Sequence, residues 1–153
     1  MTHRIAELAA EIVASGLATA SQMAGCSPGE VAEIERKFPV KLPEVYRDWL
    51  LAMGRGAGDY LKGSDAFYPE ILVIREWADE LLAEDGRPIV LPSDAFVFLM
   101  HQGYQFLYFR TAEGVPDPPV LYYFTGAHKD GWESLTSYYF QVLQDHLQLR
   151  KGS

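Results

Sequence analysis

Phe96-Val97-Phe98-Leu99-Met100-His101-Gln102-Gly103-Tyr104-Gln105-Phe106-Leu107-Tyr108-Phe109 is the stretch that decides the fold. It contains two short apolar runs of strand length. His101-Gln102-Gly103 between them reads as a hairpin turn. Downstream, 111–119 reads as a loop carrying Asp117-Pro118-Pro119. Val120-Leu121-Tyr122-Tyr123-Phe124 is a third strand, and 126–131 reads as a turn. Neighbouring strands joined by short connections imply an antiparallel meander.

Upstream of these runs the apolar period is helical. Ile5, Leu8, Ala9, Ile12 and Val13 share one face, and Ser15-Gly16 is the stop. Residues 17–25 are small and polar and read as a linker. The next helix has a full start signal: Ser27 as cap, Pro28 at the first helical position, and Glu30 reaching back. Val31, Ile34 and Phe38 line its face, and Pro39 ends it. Leu42-Pro43 opens another helix, with Val45, Tyr46, Trp49, Leu50 and Met53 at spacings of three and four, and Gly54 closes it. A loop follows to about residue 64. Ile71, Ile74, Ala78, Leu81 and Leu82 form a further helical stripe ending at Glu84-Asp85-Gly86. Leu135, Tyr139, Val142, Leu143 and Leu147 mark a last helix, capped near Ser134 or Thr136. The expected class is α+β: an antiparallel sheet covered on one face by helices.

The length of 153 residues suits a single domain. With 13 basic against 21 acidic residues, the formal charge is −8. Phosphate backbones and anionic lipid surfaces repel such a chain, so neither nucleic acid nor membrane is an expected partner. A basic protein is, because opposite fields speed encounter. The single cysteine, Cys26, excludes an internal disulfide and a multi-cysteine zinc site. Glu7 and Glu11 interrupt the N-terminal apolar run, so it is not a signal-peptide core or a membrane span. The cytoplasm is the expected location.

Chemistry-bearing patterns do not assemble. His3, His101, His128 and His146 contain no i,i+4 pair. Gly54-Arg55-Gly56-Ala57-Gly58 follows a helix, whereas a phosphate cradle follows a strand and opens a helix. Cys26 lies just before a helix cap with no His nearby to activate it. Glu84-Asp85 reads as a solvated helix end. No catalytic residue, metal site or cofactor is expected.

The stretch Glu33-Ile34-Glu35, Leu42-Pro43-Glu44-Val45-Tyr46-Arg47-Asp48-Trp49-Leu50 and Met53-Gly54 resembles the opening signature of the SUKH superfamily. The aromatic strands around Gly103, the strand at 120–124 and the closing helix after Ser134-Leu135 follow the same order. The resemblance covers roughly 25–149, so 1–24 is read as an N-terminal helix and linker extension and 25–153 as the SUKH-like domain. One departure is the His101-Gln102-Gly103 turn, where relatives often carry Asp-Gly. The superfamily includes Smi/Knr-type regulators of fungal cell-wall assembly and bacterial immunity proteins. The resemblance implies a non-enzymatic module, foremost an immunity protein that neutralises a toxin by direct binding. The alternative it implies is a regulatory or scaffold module for a housekeeping protein. A monomer or weak homodimer is expected.

Recognition by such a module calls for carboxylates interleaved with aromatic anchors on loops. Asp59, Tyr60, Asp65, Tyr68, Tyr104, Glu113, Asp117 and Trp132 fit that description, each on or beside a predicted connection.

Overall fold

Ser27 and Glu30 show how closely local chemistry sets the elements. The Ser27 hydroxyl accepts the Glu30 amide at 3.1 Å, and the Glu30 carboxylate accepts the Ser27 amide at 2.9 Å. Such a cap contributes about 1 kcal/mol. The computed structural model describes residues 2–151. In chain order it holds α1 (His3–Ala14), β1 (Met23–Ala24), α2 (Pro28–Lys37), α3 (Glu44–Met53), β2 (Gly56–Ala57), β3 (Ser64–Asp65) and α4 (Ile74–Glu84). Then come β4 (Ala95–His101), β5 (Gln105–Arg110), β6 (Val120–Phe124), β7 (Ala127–Trp132) and α5 (Leu135–Lys151).

The five strands β3-β4-β5-β6-β7 form one antiparallel sheet in that order, and β1 pairs with β2 in a small ribbon. The fold is α+β. Gln102 and Gly103 take φ of 50° and 78° at the β4–β5 turn, as a tight I′-like reversal requires. Phe96, Phe98 and Phe109 meet Tyr46 of α3 at 5.3, 6.2 and 5.2 Å between ring centres. Phe98 also meets Tyr138 and Tyr139 of α5 at 5.7 and 6.2 Å. A register shift between Val97 and Leu99 turns Phe98 and Leu99 toward the same helical layer.

The helical layer expected on one face is therefore α3 and α5, with α1 packed on both. One helix, α4, lies across the opposite face. There Phe106 and Tyr123 stand opposite each other in β5 and β6, and the Tyr123 hydroxyl donates to Asp85 at the end of α4 at 2.5 Å.

Residues 126–131 were expected to form a turn; only Gly126 belongs to one, and 127–131 lie within the outer strand β7. Thr125 and Gly126, with φ of 44° and 84°, reverse the chain in two residues. The five residues that follow them, Ala127 to Gly131, are exposed, so no apolar alternation announces a strand. Lys129, Asp130 and a register shift opposite Val120 blunt this sheet edge.

The expected linker after α1 also contributes. Cys26 N–H and Gly54 N–H both donate to the Leu50 carbonyl at 2.8 Å, and Arg55 N–H donates to Ala24 at 2.8 Å. The chain thus crosses the end of α3 in direct contact. A Cβ on Gly54 would lie 2.6 Å from the Cys26 sulfur and from the Leu50 oxygen. Only glycine closes that crossing.

Candidate functional site

Asp94 organises one end of the sheet. Its carboxylate accepts Arg110 Nε at 2.6 Å and the Ala112 amide at 3.0 Å, and its carbonyl accepts the Thr111 hydroxyl at 2.9 Å. Burial pushes the Asp94 carboxyl up, but the Ala112 amide and the Arg110 guanidinium together outweigh it and hold the group below its usual value. The loop that leaves β5 is thereby pinned to the residue that precedes β4. Beside it opens a cavity of about 590 Å³, within the range of ligand and side-chain pockets.

Val115, Pro118, Pro119 and Leu121 give this cavity an apolar lining, and Trp132 adds an indole. Beside the paired Asp94 and Arg110, which also line it, Glu113, Asp130 and Glu133 add exposed carboxylates. Among the described residues these three carboxylates take no hydrogen bond or ion pair. Unpaired charge at the mouth of an apolar recess attracts a cation with an aliphatic stem.

Glu113 and Trp132 are the two sequence-derived candidates brought together here. Trp132 is half-buried, edge-on to Tyr138 at 4.7 Å and 5.9 Å from Tyr122. The other six are dispersed. Tyr60 requires correction: it is fully buried, and its hydroxyl donates to the Tyr139 carbonyl at 2.8 Å, so it supports α5 and offers no surface. Tyr68 is half-buried under the Arg55 guanidinium at 5.3 Å, with its hydroxyl donated to Glu33 at 2.7 Å. Asp117 accepts the Thr136 amide at 3.0 Å and so serves the first turn of α5. Asp59 is exposed but faces Lys62 and Arg150 at 3.7 Å each. Asp65 lies in β3 beside α4, and Tyr104 lies at the β4–β5 turn, edge-on to Phe124 at 5.4 Å.

Asp130 and Glu133 were missed. Asp130 lies within a bulged strand that sequence reasoning took for a turn and Glu133 directly follows it, and no local pattern marks them.

Three of the four histidines have hydrogen-bond partners within the fold. His101 Nδ1 meets the Ser64 hydroxyl at 3.0 Å, and His128 Nε2 meets the Tyr108 hydroxyl at 2.6 Å. His146 Nε2 accepts the Leu61 amide at 3.0 Å, and burial lowers its pKa. Among the described residues no group of three or more His, Cys, Asp or Glu side chains could hold a metal ion. Nor is any described helix long and apolar enough to cross a membrane.

Cys26 is buried, and burial first and Glu30 second push its thiol up to about 11. Because the thiolate is the reactive form, the native chain is expected to resist Ellman's reagent at pH 8. Reaction should follow unfolding in urea. Rapid labelling of the folded protein would contradict this account of the site.

The model of the SMI1/KNR4 family (SUKH-1) matches residues 25–144. The chain belongs to this SUKH family. No curated protein is significantly similar to it. The SUKH match begins after α1, yet Ile5, Leu8 and Ile12 of that helix are fully buried in the same core as the matched residues. Of the residues that carried the resemblance, Leu42, Pro43, Tyr46, Trp49, Leu50 and Met53 are buried, whereas Glu44 and Arg47 are exposed. The apolar part of the SUKH signature in this chain is thus a packing pattern, and the cavity carboxylates lie outside the signature.

Proposed function

We propose that this SUKH chain is a non-enzymatic binding module that acts as an immunity protein in the cytoplasm, neutralising a basic toxin domain by covering it. Family membership supports a module of the immunity or regulatory kind. The observation that favours a basic partner is the unpaired carboxylate set Glu113, Asp130 and Glu133 around the apolar recess. The charge of −8 extends that field over the whole chain. Charge complementarity speeds encounter and selects the partner, while a desolvated aromatic anchor such as Trp132 holds it. A single copy suffices, because the blunted β7 edge disfavours growth of the sheet by self-pairing.

The test takes the product of the neighbouring open reading frame as the candidate toxin. Co-expression is expected to restore growth of cells that make the toxin. Glu113→Lys, Asp130→Lys and Glu133→Lys combined should weaken the complex by roughly 100-fold or more, about 2.7 kcal/mol, and abolish protection. Titration calorimetry at low and high salt reads both the loss and its electrostatic origin. An unchanged Kd together with full protection would overturn the reading. Capture of a housekeeping protein in place of the toxin would shift the chain to a regulatory role.

A further inference from the structure

We propose that the groove between α4 and the β4–β5 turn is a seat for an arginine side chain of a protein partner. Trp77, Glu80, Leu81 and Glu84 stand at i, i+3, i+4 and i+7 along α4, so they form one stripe. Asp65 and Met100, directly opposite each other across β3 and β4, build the facing wall, and Gly103 closes the end. Together they line a cavity of about 310 Å³.

Two features of this stripe are unexplained by folding. The Trp77 indole is 36% exposed, while Ile74, Ala78, Leu81 and Leu82 of the same helix are buried. The carboxylates of Asp65, Glu80 and Glu84 take no hydrogen bond or ion pair among the described residues, although adjacent Asp79 faces Arg75 at 3.5 Å. Glu80 and Glu84 are like charges four residues apart, an arrangement that destabilises a helix. The chain keeps this repulsion around an open indole.

A guanidinium answers both features. Its plane stacks on an indole face. Its five N–H donors fit several carboxylates at once, which the compact ammonium of lysine does less well. Its aliphatic stem finds Leu81 and Met100. The seat shares no lining residue with the cavity around Glu113. It deepens the reading above and rests on it for the partner being a basic polypeptide.

The full chain, labelled with ¹⁵N in its tryptophan indoles, is titrated with the peptide Gly-Arg-Gly and with its lysine and citrulline counterparts. Trp77→Phe assigns the resonance. Gly-Arg-Gly is expected to give a saturable shift of the Trp77 indole N–H that weakens with salt. The lysine peptide should bind roughly threefold more weakly or worse, and neutral citrulline should not bind. Glu80→Gln with Glu84→Gln should abolish the shift while leaving the thermal melt unchanged or raised. Glu113→Lys, Asp130→Lys and Glu133→Lys should leave it intact. A shift that survives the double glutamine variant, or that citrulline reproduces, overturns the seat. Equal binding of lysine overturns the assignment to arginine. A shift confined to Trp132 places cation binding in the other cavity and also overturns it. If the toxin complex forms and protects while Trp77 stays silent, this inference fails alone. If Trp77 responds and no toxin complex forms, the immunity reading fails alone.

Discussion

Trp49→Ala is expected to destabilise the protein by about 3–5 kcal/mol, read as a large drop in the urea midpoint. Trp49 is 1% exposed and lies between the two helices that face the sheet. Its ring stacks on Tyr139 of α5 at 5.1 Å with planes 1° apart. On its other sides stand Phe67 at 5.7 Å and Tyr46 of α3 at 6.0 Å. Removing the indole leaves a void that Tyr46 and Tyr139 cannot fill without leaving their own contacts with Phe96, Phe98 and Phe109. For a domain of this size, each kcal/mol moves Tm by roughly 2–4 °C. The indole N–H donates to no protein atom among the described residues. Trp49→Phe therefore breaks no protein hydrogen bond and should cost about half as much or less. A melt of Trp49→Ala within about 1 kcal/mol of the parent would show that the stack is not the joint between layers.

The second large effect is expected on deleting residues 1–24: the remaining chain should lose its cooperative melt at 25 °C. Ile5, Leu8 and Ile12 are each fully buried, and a buried aliphatic side chain contributes roughly 2 kcal/mol. Their joint removal takes about 6 kcal/mol from a total that is about 5–15 kcal/mol for most domains. Polar ties go with them. The Thr2 amide donates to Asp48 at 2.6 Å, and Arg150 donates to the Ser15 and Gly16 carbonyls at 3.1 Å each. Arg4 sits 4.1 Å from the centre of the Phe140 ring. The deletion also strips β1 from β2. Circular dichroism and amide dispersion in NMR read the outcome. A sharp melt of the shortened chain near the parent's Tm would establish that 25–153 folds alone and that α1 is an addition to a finished core.

Much of this architecture could be read directly from the residues, because short-range chemistry governs it. Ser27-Pro28 and Glu30 define a helix start by themselves. The spacing of Tyr46, Trp49, Leu50 and Met53 allows only a helix, and the unbroken run from Phe96 to Met100 fits a strand enclosed on both faces. What escaped was set by contacts between distant parts of the chain. Tyr60 looks like a loop aromatic until a carbonyl 79 residues away, on Tyr139, takes its hydroxyl. Strand β7 carries His128, Lys129 and Asp130 in place of an apolar alternation, and its turn uses Thr125 at positive φ where Asn or Gly is usual. Misreading that strand hid Asp130 and Glu133 from the candidate surface. Glu113 was accessible to sequence reasoning because it lies in a proline-bounded loop, which placed it on the exterior.

Gly54 has a consequence for how chains of this kind diverge. With no room for a methyl group between the Cys26 sulfur and the Leu50 oxygen, drift at this position ends in misfolding, whatever molecule the protein serves. Val115 and Glu113 are under no such restraint and can be rewritten without disturbing the interior. Ancestry can therefore stay readable in the hidden residues while the choice of opponent is renewed on the outside.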